Sequence, residues 1–299
     1  MQRLNIMNFR LVRPFTLIAL CLVAPLSFST FVQAEEASFS FTAIPDQDAT
    51  ELKKRFDKVA HYLTEQLGFK VSYVPVKSYA AAITAFRNNQ VQLAWFGGLS
   101  GVQARKLVAN SEAIAQGYED QSFVTYFIAH QSTKLKASDN FPTAIKGLSF
   151  TFGSKGSTSG RLMPEFYIRE NIGVPQDVFK QVGFSGDHSR TVALVQAGSY
   201  QVGAVNYKVW DSMLEQGKID LEYVSVIWKT PAYPDYQWSI RGNVDAQFGQ
   251  GTQDSVQQAL LNMKDPELLK AFPRQSFIPA QNSDYTPIEK TAQSIGLMD

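Results

Sequence analysis

Two series of alternating strand and helix patterns, joined by apolar segments able to cross between them, predict an α/β protein of two lobes with hinge strands. The first series runs from Phe39 to about Leu107 and the second from Leu148 to about residue 216. Ala113 to Tyr118, Phe123 to Ala129 and Val224 to Trp228 are extended apolar segments, the second of them long enough to pass from one lobe to the other. With 299 residues, 44% of them hydrophobic, the chain suits one large domain or two lobes of ordinary size. Two such lobes suggest a clamshell that closes over a ligand.

The chain opens with Arg3, Arg10 and Arg13 and no acid, followed by the apolar run Phe15 to Leu26 and then Val32-Gln33-Ala34. This is the pattern of a secretory signal peptide, with cleavage expected after Ala34, and the apolar run is short for a membrane span. The single cysteine, Cys21, lies inside that leader and follows Leu20, which does not suit a lipoprotein site. The exported part then holds no thiol for a disulfide, a nucleophile or a metal. Removing the three leader arginines takes the net charge from +1 to −2. Such a balance argues against a nucleic-acid or anionic-membrane surface, so any bound anion must be held by local donors.

Phe39 to Ile44 reads as the first strand, closed by Pro45-Asp46, with Asp46 or Asp48 able to cap the next helix. Leu52, Phe56, Val59, Leu63 and Leu67 have helical spacing, and Gly68 stops the helix. A strand over 70–76 leads to a helix holding Ala80-Ala81-Ala82-Ile83 and Phe86. A third strand over 91–96 ends in Trp95-Phe96, and Gly97-Gly98-Leu99-Ser100-Gly101 opens another helix. The alternation predicts parallel sheets, whose ligands lie off the carboxyl ends of the strands. The second series comprises strands over 148–152, 181–184 and 202–205 and helices over 159–170, 188–197 and 207–216. Helices near 252–261, 265–271 and 285–295 are expected to pack back on the first lobe.

The richest local signal is Gly153-Ser154-Lys155-Gly156-Ser157-Thr158-Ser159-Gly160, between the strand at 148–152 and a helix. The first N–H groups of a helix lack intrahelical acceptors and carry partial positive charge, and glycines let an anion approach them. Ser157, Thr158 and Ser159 would add neutral donors. An ordinary helix cap accounts for the same residues, and such caps are common. Gly183 to Arg190 is a second strand–loop–helix junction, where His188 is a candidate donor and Asp187 an equally good simple cap.

Tests for catalysis fail. A nucleophile elbow needs serine at the centre of Gly156 to Gly160, where Thr158 stands, and the phosphate-loop pattern counted from Gly153 meets Thr158 and Ser159 instead of glycine and lysine. His61, His130 and His188 have no metal spacing, and nothing in the pattern supplies an oxyanion hole or orienting acid for a Ser/His/Asp triad. Among the aromatics, core packing explains Trp210 and Trp228, whereas Trp95 and Phe96 end a strand beside Gly97-Gly98, Tyr207 opens a helix after Val205-Asn206, and Tyr233, Tyr236 and Trp238 lie in the Pro-rich connection around 231–235.

Taken together, Leu93-Ala94-Trp95-Phe96-Gly97-Gly98-Leu99-Ser100, Ser157-Thr158-Ser159-Gly160 with Pro164, His188, and Val226-Ile227-Trp228-Lys229-Thr230-Pro231 resemble the periplasmic phosphonate/phosphite-binding proteins of ABC importers, with relatives assigned to selenate. The resemblance covers nearly all of the chain after the leader. It implies a type II periplasmic-binding-protein fold, with 35–125 and 232–299 forming one lobe and 126–231 the other. It implies further that Ser157, Thr158 and Ser159 hold a small oxyanion and that His188 donates to it. Phe96 stands where the family commonly has a tyrosine, and Asp235 falls near an acidic position. Gly97, Asp46, Asn206 and Tyr207 complete the candidate ligand residues. Aminophosphonate binders have acids where this chain has Asn206-Tyr207-Lys208 and Ser189, so a compact phosphonate, phosphite or selenate is expected rather than an aminoalkyl ligand. No cofactor and no catalysis are expected, and the implied partners are the importer's permease subunits in the periplasm. A sensory ligand-binding module is the alternative of another class, and an enzyme on the same fold a third.

Overall fold

The computed structural model describes residues 38–299, so the expected leader lies outside the described residues. The chain first forms β1 (Phe39–Ala43), α1 (Ala49–Leu67), β2 (Val71–Tyr73), α2 (Tyr79–Arg87), β3 (Leu93–Phe96), α3 (Gly98–Lys106) and β4 (Glu112–Gly117). It then forms β5 (Thr125–His130), β6 (Ser149–Phe152), a π-helical turn (Thr158–Leu162) running into α4 (Met163–Asn171), α5 (Pro175–Val178), β7 (Gln181–Phe184), α6 (His188–Gln196), β8 (Val202–Asn206), α7 (Tyr207–Glu215) and β9 (Val224–Lys229). The return comprises β10 (Gln237–Ile240), α8 (Val244–Phe248), α9 (Thr252–Leu261), α10 (Pro266–Leu269), β11 (Phe277–Pro279) and α11 (Thr286–Ser294).

Helical spacing in α1 buries Leu52, Phe56, Val59, Ala60 and Leu63 against the first sheet. Its N-cap is Asp48, whose carboxylate accepts from the N–H groups of Thr50 and Glu51, and Gly68 at φ 74° ends it in the left-handed region. Of the two acids able to cap this helix, Asp48 does so, which frees Asp46 for the cleft.

The strands form a six-stranded sheet in the order β11-β4-β10-β3-β1-β2 and a five-stranded sheet in the order β7-β6-β8-β5-β9. Both are mixed, which corrects the all-parallel expectation. β1 runs parallel to β2 and β3, but β10 lies antiparallel between β3 and β4. Likewise β6 is parallel to β7 and β8, while β5 lies antiparallel between β8 and β9. The reason is geometric. β5 and β10 are the strands that arrive through the hinge, so each enters its sheet from the edge where the neighbouring strands end. β10 sits inside the Pro- and Tyr-rich return that reads as a connection, and its four residues are all buried.

An aromatic core fills the six-stranded half. Phe41, Phe56, Trp95, Trp238, Phe272 and Phe277 meet in edge or tilted pairs with centroids 5.0 to 6.1 Å apart. Burying each such ring contributes about 1.5–3 kcal/mol before entropy is counted. The five-stranded half packs Phe127, Phe150, Phe152 and Trp228 on one face and Val192, Val195 and Trp210 on the other. Two chain segments join the halves, and they pair with each other. Phe123 N–H donates to the Tyr233 carbonyl at 2.9 Å, and Tyr233 N–H returns the bond at 3.0 Å. Among the described residues no helix is long and apolar enough to cross a membrane.

Candidate functional site

The carboxyl ends of β1, β3, β6 and β7 face one another across the gap between the sheets, and the helices that follow bring their N-termini there. After β6, Ser157 caps the π-helical turn, its Oγ accepting Gly160 N–H at 2.9 Å. The cap reading of the serine is therefore correct, yet an accepting hydroxyl keeps its own proton to donate. The Thr158 Oγ1 accepts the Leu99 N–H at 3.0 Å from the other half of the molecule. The Ser159 Oγ is buried without a hydrogen-bond partner among the described residues. A π turn places successive residues differently from an α-helix, and such turns recur at functional sites.

Glycine makes the turn possible. A Cβ on Gly160 would stand 2.9 Å from His188 Cε1 and 3.0 Å from Ser157 Oγ, so only glycine lets the imidazole reach the turn. His188 is fully buried at the start of α6, whose cap is Asp187. The Asp187 cap does not engage the imidazole ring. The Asn206 N–H donates to His188 Nδ1 at 3.3 Å, so the proton sits on Nε2, which points out as an unpartnered donor. Burial lowers the His188 pKa to about 3, and the ring is a neutral donor at any physiological pH.

The opposite wall comes from the six-stranded half. Asp235 Oδ1 accepts Gly98 N–H at 2.9 Å, while its Oδ2 has no partner among the described residues. Burial pushes this carboxyl up to about 7, partly offset by the Gly98 and Thr158 contacts. Gly97 brings the two halves together here, since a Cβ on it would stand 3.2 Å from Asp235 Oδ1 and 3.3 Å from Thr158 Oγ1. Asp46 closes the side of the gap, its carbonyl accepting His188 N–H at 3.0 Å and its Oδ2 the Tyr236 hydroxyl at 2.8 Å. Burial pushes Asp46 up to about 6, against the lowering by that hydroxyl. Asn206 caps α7 through Oδ1 and donates from Nδ2 to the Tyr236 hydroxyl at 2.9 Å. Its amide oxygen thus serves the helix and its amide nitrogen ties the halves together.

Two candidates lie apart from this cluster. The Phe96 ring packs edge-on against Phe86 in the core at 5.7 Å and offers no polar contact. The Tyr207 ring stands against Phe123 at 4.8 Å and Tyr126 at 6.0 Å on the hinge side, because α7 starts with its first side chain turned toward the crossing strand. One residue was missed. Tyr79, the first of α2, is fully buried near Ser157 with its hydroxyl unpartnered, and desolvation keeps it protonated. Its place directly after the Ser78 cap, at the carboxyl end of a strand, was the available signal.

The donors are all neutral. The buried cation beneath them, Arg274, is matched by Asp120 through two bonds of 2.7 Å and lies 5.2 Å from the Tyr236 ring centroid. Lys208 pairs with Glu119 at 3.2 Å. The arrangement suits a small anion held by hydroxyls, one imidazole N–H and backbone amides, with one acceptor among them.

Residues 41–285 match a family described as the periplasmic substrate-binding protein of phosphonate ABC transporters. The chain is 37% identical over 276 residues to a probable ABC transporter phosphite-binding protein, PhnD1, of Prochlorococcus marinus (strain MIT 9301), covering 90% of this chain and 93% of that one. It is 24% identical over 281 residues to the phosphonates-binding periplasmic protein of Escherichia coli K12, covering 93% and 81%. The solved structure of the Prochlorococcus protein, in complex with methylphosphonate, superimposes with a TM-score of 0.83 at 38% identity, covering 87% of this chain and 99% of that chain. A phosphonate-transporter binding protein from Pseudomonas aeruginosa shares the fold at 21% identity and a TM-score of 0.75, covering 86% of each chain.

Proposed function

Because the chain belongs to the family of periplasmic substrate-binding proteins of phosphonate ABC transporters, we propose that its buried donor cluster is the site where the importer's solute is captured. The protein is the solute-binding component of such an importer, and its family works in the periplasm. In this reading Ser157, Thr158, Ser159, His188 and Tyr79 donate to a compact phosphonate or phosphite, while Asp235 and Asp46 shape the opposite wall. Residues 35–125 with 232–299 act as one lobe and 126–231 as the other, removal of residues 1–34 precedes function, and the closed pair is what the permease subunits receive.

The observation that carries the proposal is the set of unpartnered buried donors Tyr79 Oη, Ser159 Oγ and His188 Nε2. Buried polar groups are almost always satisfied, so donors left over beside a helix start await an acceptor-rich guest. A compact ligand fits because α7 opens with Asn206, committed to its cap and strut, and Lys208, paired with Glu119, so no carboxylate opens that helix to receive an ammonium. Binding without turnover fits the histidine. A catalytic imidazole accepts a proton at Nε2 and donates Nδ1–H to an acid, whereas here Nδ1 accepts from a backbone N–H.

A thermal-shift panel of methylphosphonate, phosphite, aminoethylphosphonate, phosphate, sulfate and selenate tests the reading. A true ligand at a hundred times its Kd stabilises the closed form by about 2.7 kcal/mol. Preference for aminoethylphosphonate over methylphosphonate would overturn the compact-ligand argument, and no response to any phosphorus oxyanion would overturn the site.

A further inference from the structure

The cluster presents donors on nearly every side and one acceptor, and the acceptor is the informative member. Asp235 is 1% exposed, its Oδ1 is held by Gly98 N–H at 2.9 Å, and its Oδ2 is buried without a partner among the described residues. The other orphaned atoms around the turn, on Tyr79, Ser159 and His188, all present hydrogen. An oxyanion with no proton presents only lone pairs, so one of its oxygens beside Oδ2 would set two acceptors together in a dry site. A single proton turns that repulsion into a short charge-assisted O–H···O bond. Resting on the capture site proposed above, we infer that the oxyanion is bound with one proton held between a ligand oxygen and Asp235 Oδ2. The chain therefore prefers oxyanions that carry a P–OH near neutral pH over sulfate and selenate.

A monoanionic phosphonate brings the proton as its own P–OH and gives it up to the shared bond without release. A dianion requires one proton from solvent, delivered to Asp235. Phosphoryl groups keep or regain that proton near neutral pH, their second ionisation lying near pH 6 in phosphoesters. Sulfate and selenate are fully ionised until strong acid, so for them Asp235 must supply the hydrogen alone.

The groups facing Asp235 leave it as the titrating member. Tyr79 on α2, Tyr233 and Tyr236 beside it, and Tyr285 next to α11 are all held well above their ordinary values by burial and stay protonated. The Thr158 hydroxyl and Gly98 N–H favour the charged form, as does Arg274, which the nearby Asp120 opposes. His188 is neutral, and Asp46 titrates lower, against Tyr236.

Titration calorimetry of the full exported chain with methylphosphonate, sulfate and selenate between pH 7.5 and 9.5, in buffers of differing ionisation enthalpy, tests this. The bound state keeps a proton that the free partners lose as pH rises, so methylphosphonate affinity is expected to fall towards tenfold per pH unit, with one proton taken up. Sulfate and selenate, which depend on protonated Asp235 alone, should bind several-fold more weakly than methylphosphonate at pH 7.5. Asp235→Asn keeps an oxygen for Gly98 N–H and turns an amide donor into the site, so it should flatten the pH profile and gain sulfate and selenate affinity by about tenfold or more. A wild-type protein that binds methylphosphonate with a flat profile and no proton uptake overturns the inference while leaving the capture site standing, as does equal affinity for sulfate. A wild-type protein that binds none of the three overturns the site itself and the inference with it.

Discussion

Thr158→Val tests the cluster at its most connected point. The Thr158 hydroxyl is buried, accepts Leu99 N–H at 3.0 Å from the other half, and lies beside Asp235 and the proposed ligand. Valine keeps the shape and the β-branch but neither accepts nor donates. In the closed form Leu99 N–H is left buried without an acceptor, at a cost of about 1–3 kcal/mol, and the single hydroxyl proton, which serves the charged oxygens of Asp235 and the anion, is lost at about 1.5–3 kcal/mol. In an open form water satisfies Leu99 N–H, so the whole penalty falls on the ligand-bound state. Together about 2.5–6 kcal/mol, these correspond to a loss of affinity between just under a hundredfold and about twenty thousandfold. Calorimetry with methylphosphonate measures it, and Thr158→Ser, which restores the hydroxyl, should stay within about tenfold of wild type. If Thr158→Val binds within threefold of wild type, the hydroxyl neither latches the halves nor touches the ligand, and the site as built here is wrong.

Two further perturbations separate binding from folding. Tyr79→Phe removes one unpartnered donor without leaving a protein group unsatisfied, so titration should find affinity reduced about tenfold to a hundredfold while the ligand-free melting temperature holds or rises. Arg274→Met strands the buried Asp120 carboxylate, and loss of such a pair costs about 3–5 kcal/mol, which calorimetric melting should register as a drop of roughly 10 °C.

What could be read from the residues follows from what each pattern encodes. The β6 strand, the Ser157-Thr158-Ser159 turn and the α6 start are local signals, in which a period change, a small-residue loop and a hydroxyl or carboxylate cap lie next to one another. Asp46 and Asp48 were indistinguishable as caps because both stand at the right distance before α1. Only the closing of the two halves assigns Asp48 to the helix and Asp46 to His188 N–H and Tyr236. β10 was hidden because its strand character depends on neighbours more than a hundred residues away in β3 and β4. Tyr79 was hidden for the same reason, since one tyrosine opening a helix has no local mark separating a ligand donor from a core ring. Phe96 and Tyr207 were drawn toward the cleft by the glycines and turn beside them, but the strand's alternation sends the first to Phe86 and the helix start sends the second to the hinge.

The two halves complete one another's helix ends, and this explains why capture can drive closure. Gly97 offers no side chain to cap α3; the Asp235 carboxylate of the same half accepts Gly98 N–H, and the Thr158 hydroxyl accepts Leu99 N–H from the other half. The first N–H of α6 is taken by the Asp46 carbonyl from the opposite side. Cross-cleft bonds of this kind, together with the Asn206–Tyr236 strut, each contribute about 0.5–1.5 kcal/mol. Closing also buries the Tyr79, Ser159, His188 and Asp235 atoms that have no protein partner, each at a cost of about 1–3 kcal/mol. On the proposed two-lobe reading the second sum exceeds the first without a guest, which favours an open form. On the proposed reading a protonated oxyanion satisfies all of those atoms at once and binds only where they converge, which gives it the differential affinity that a shift in population requires.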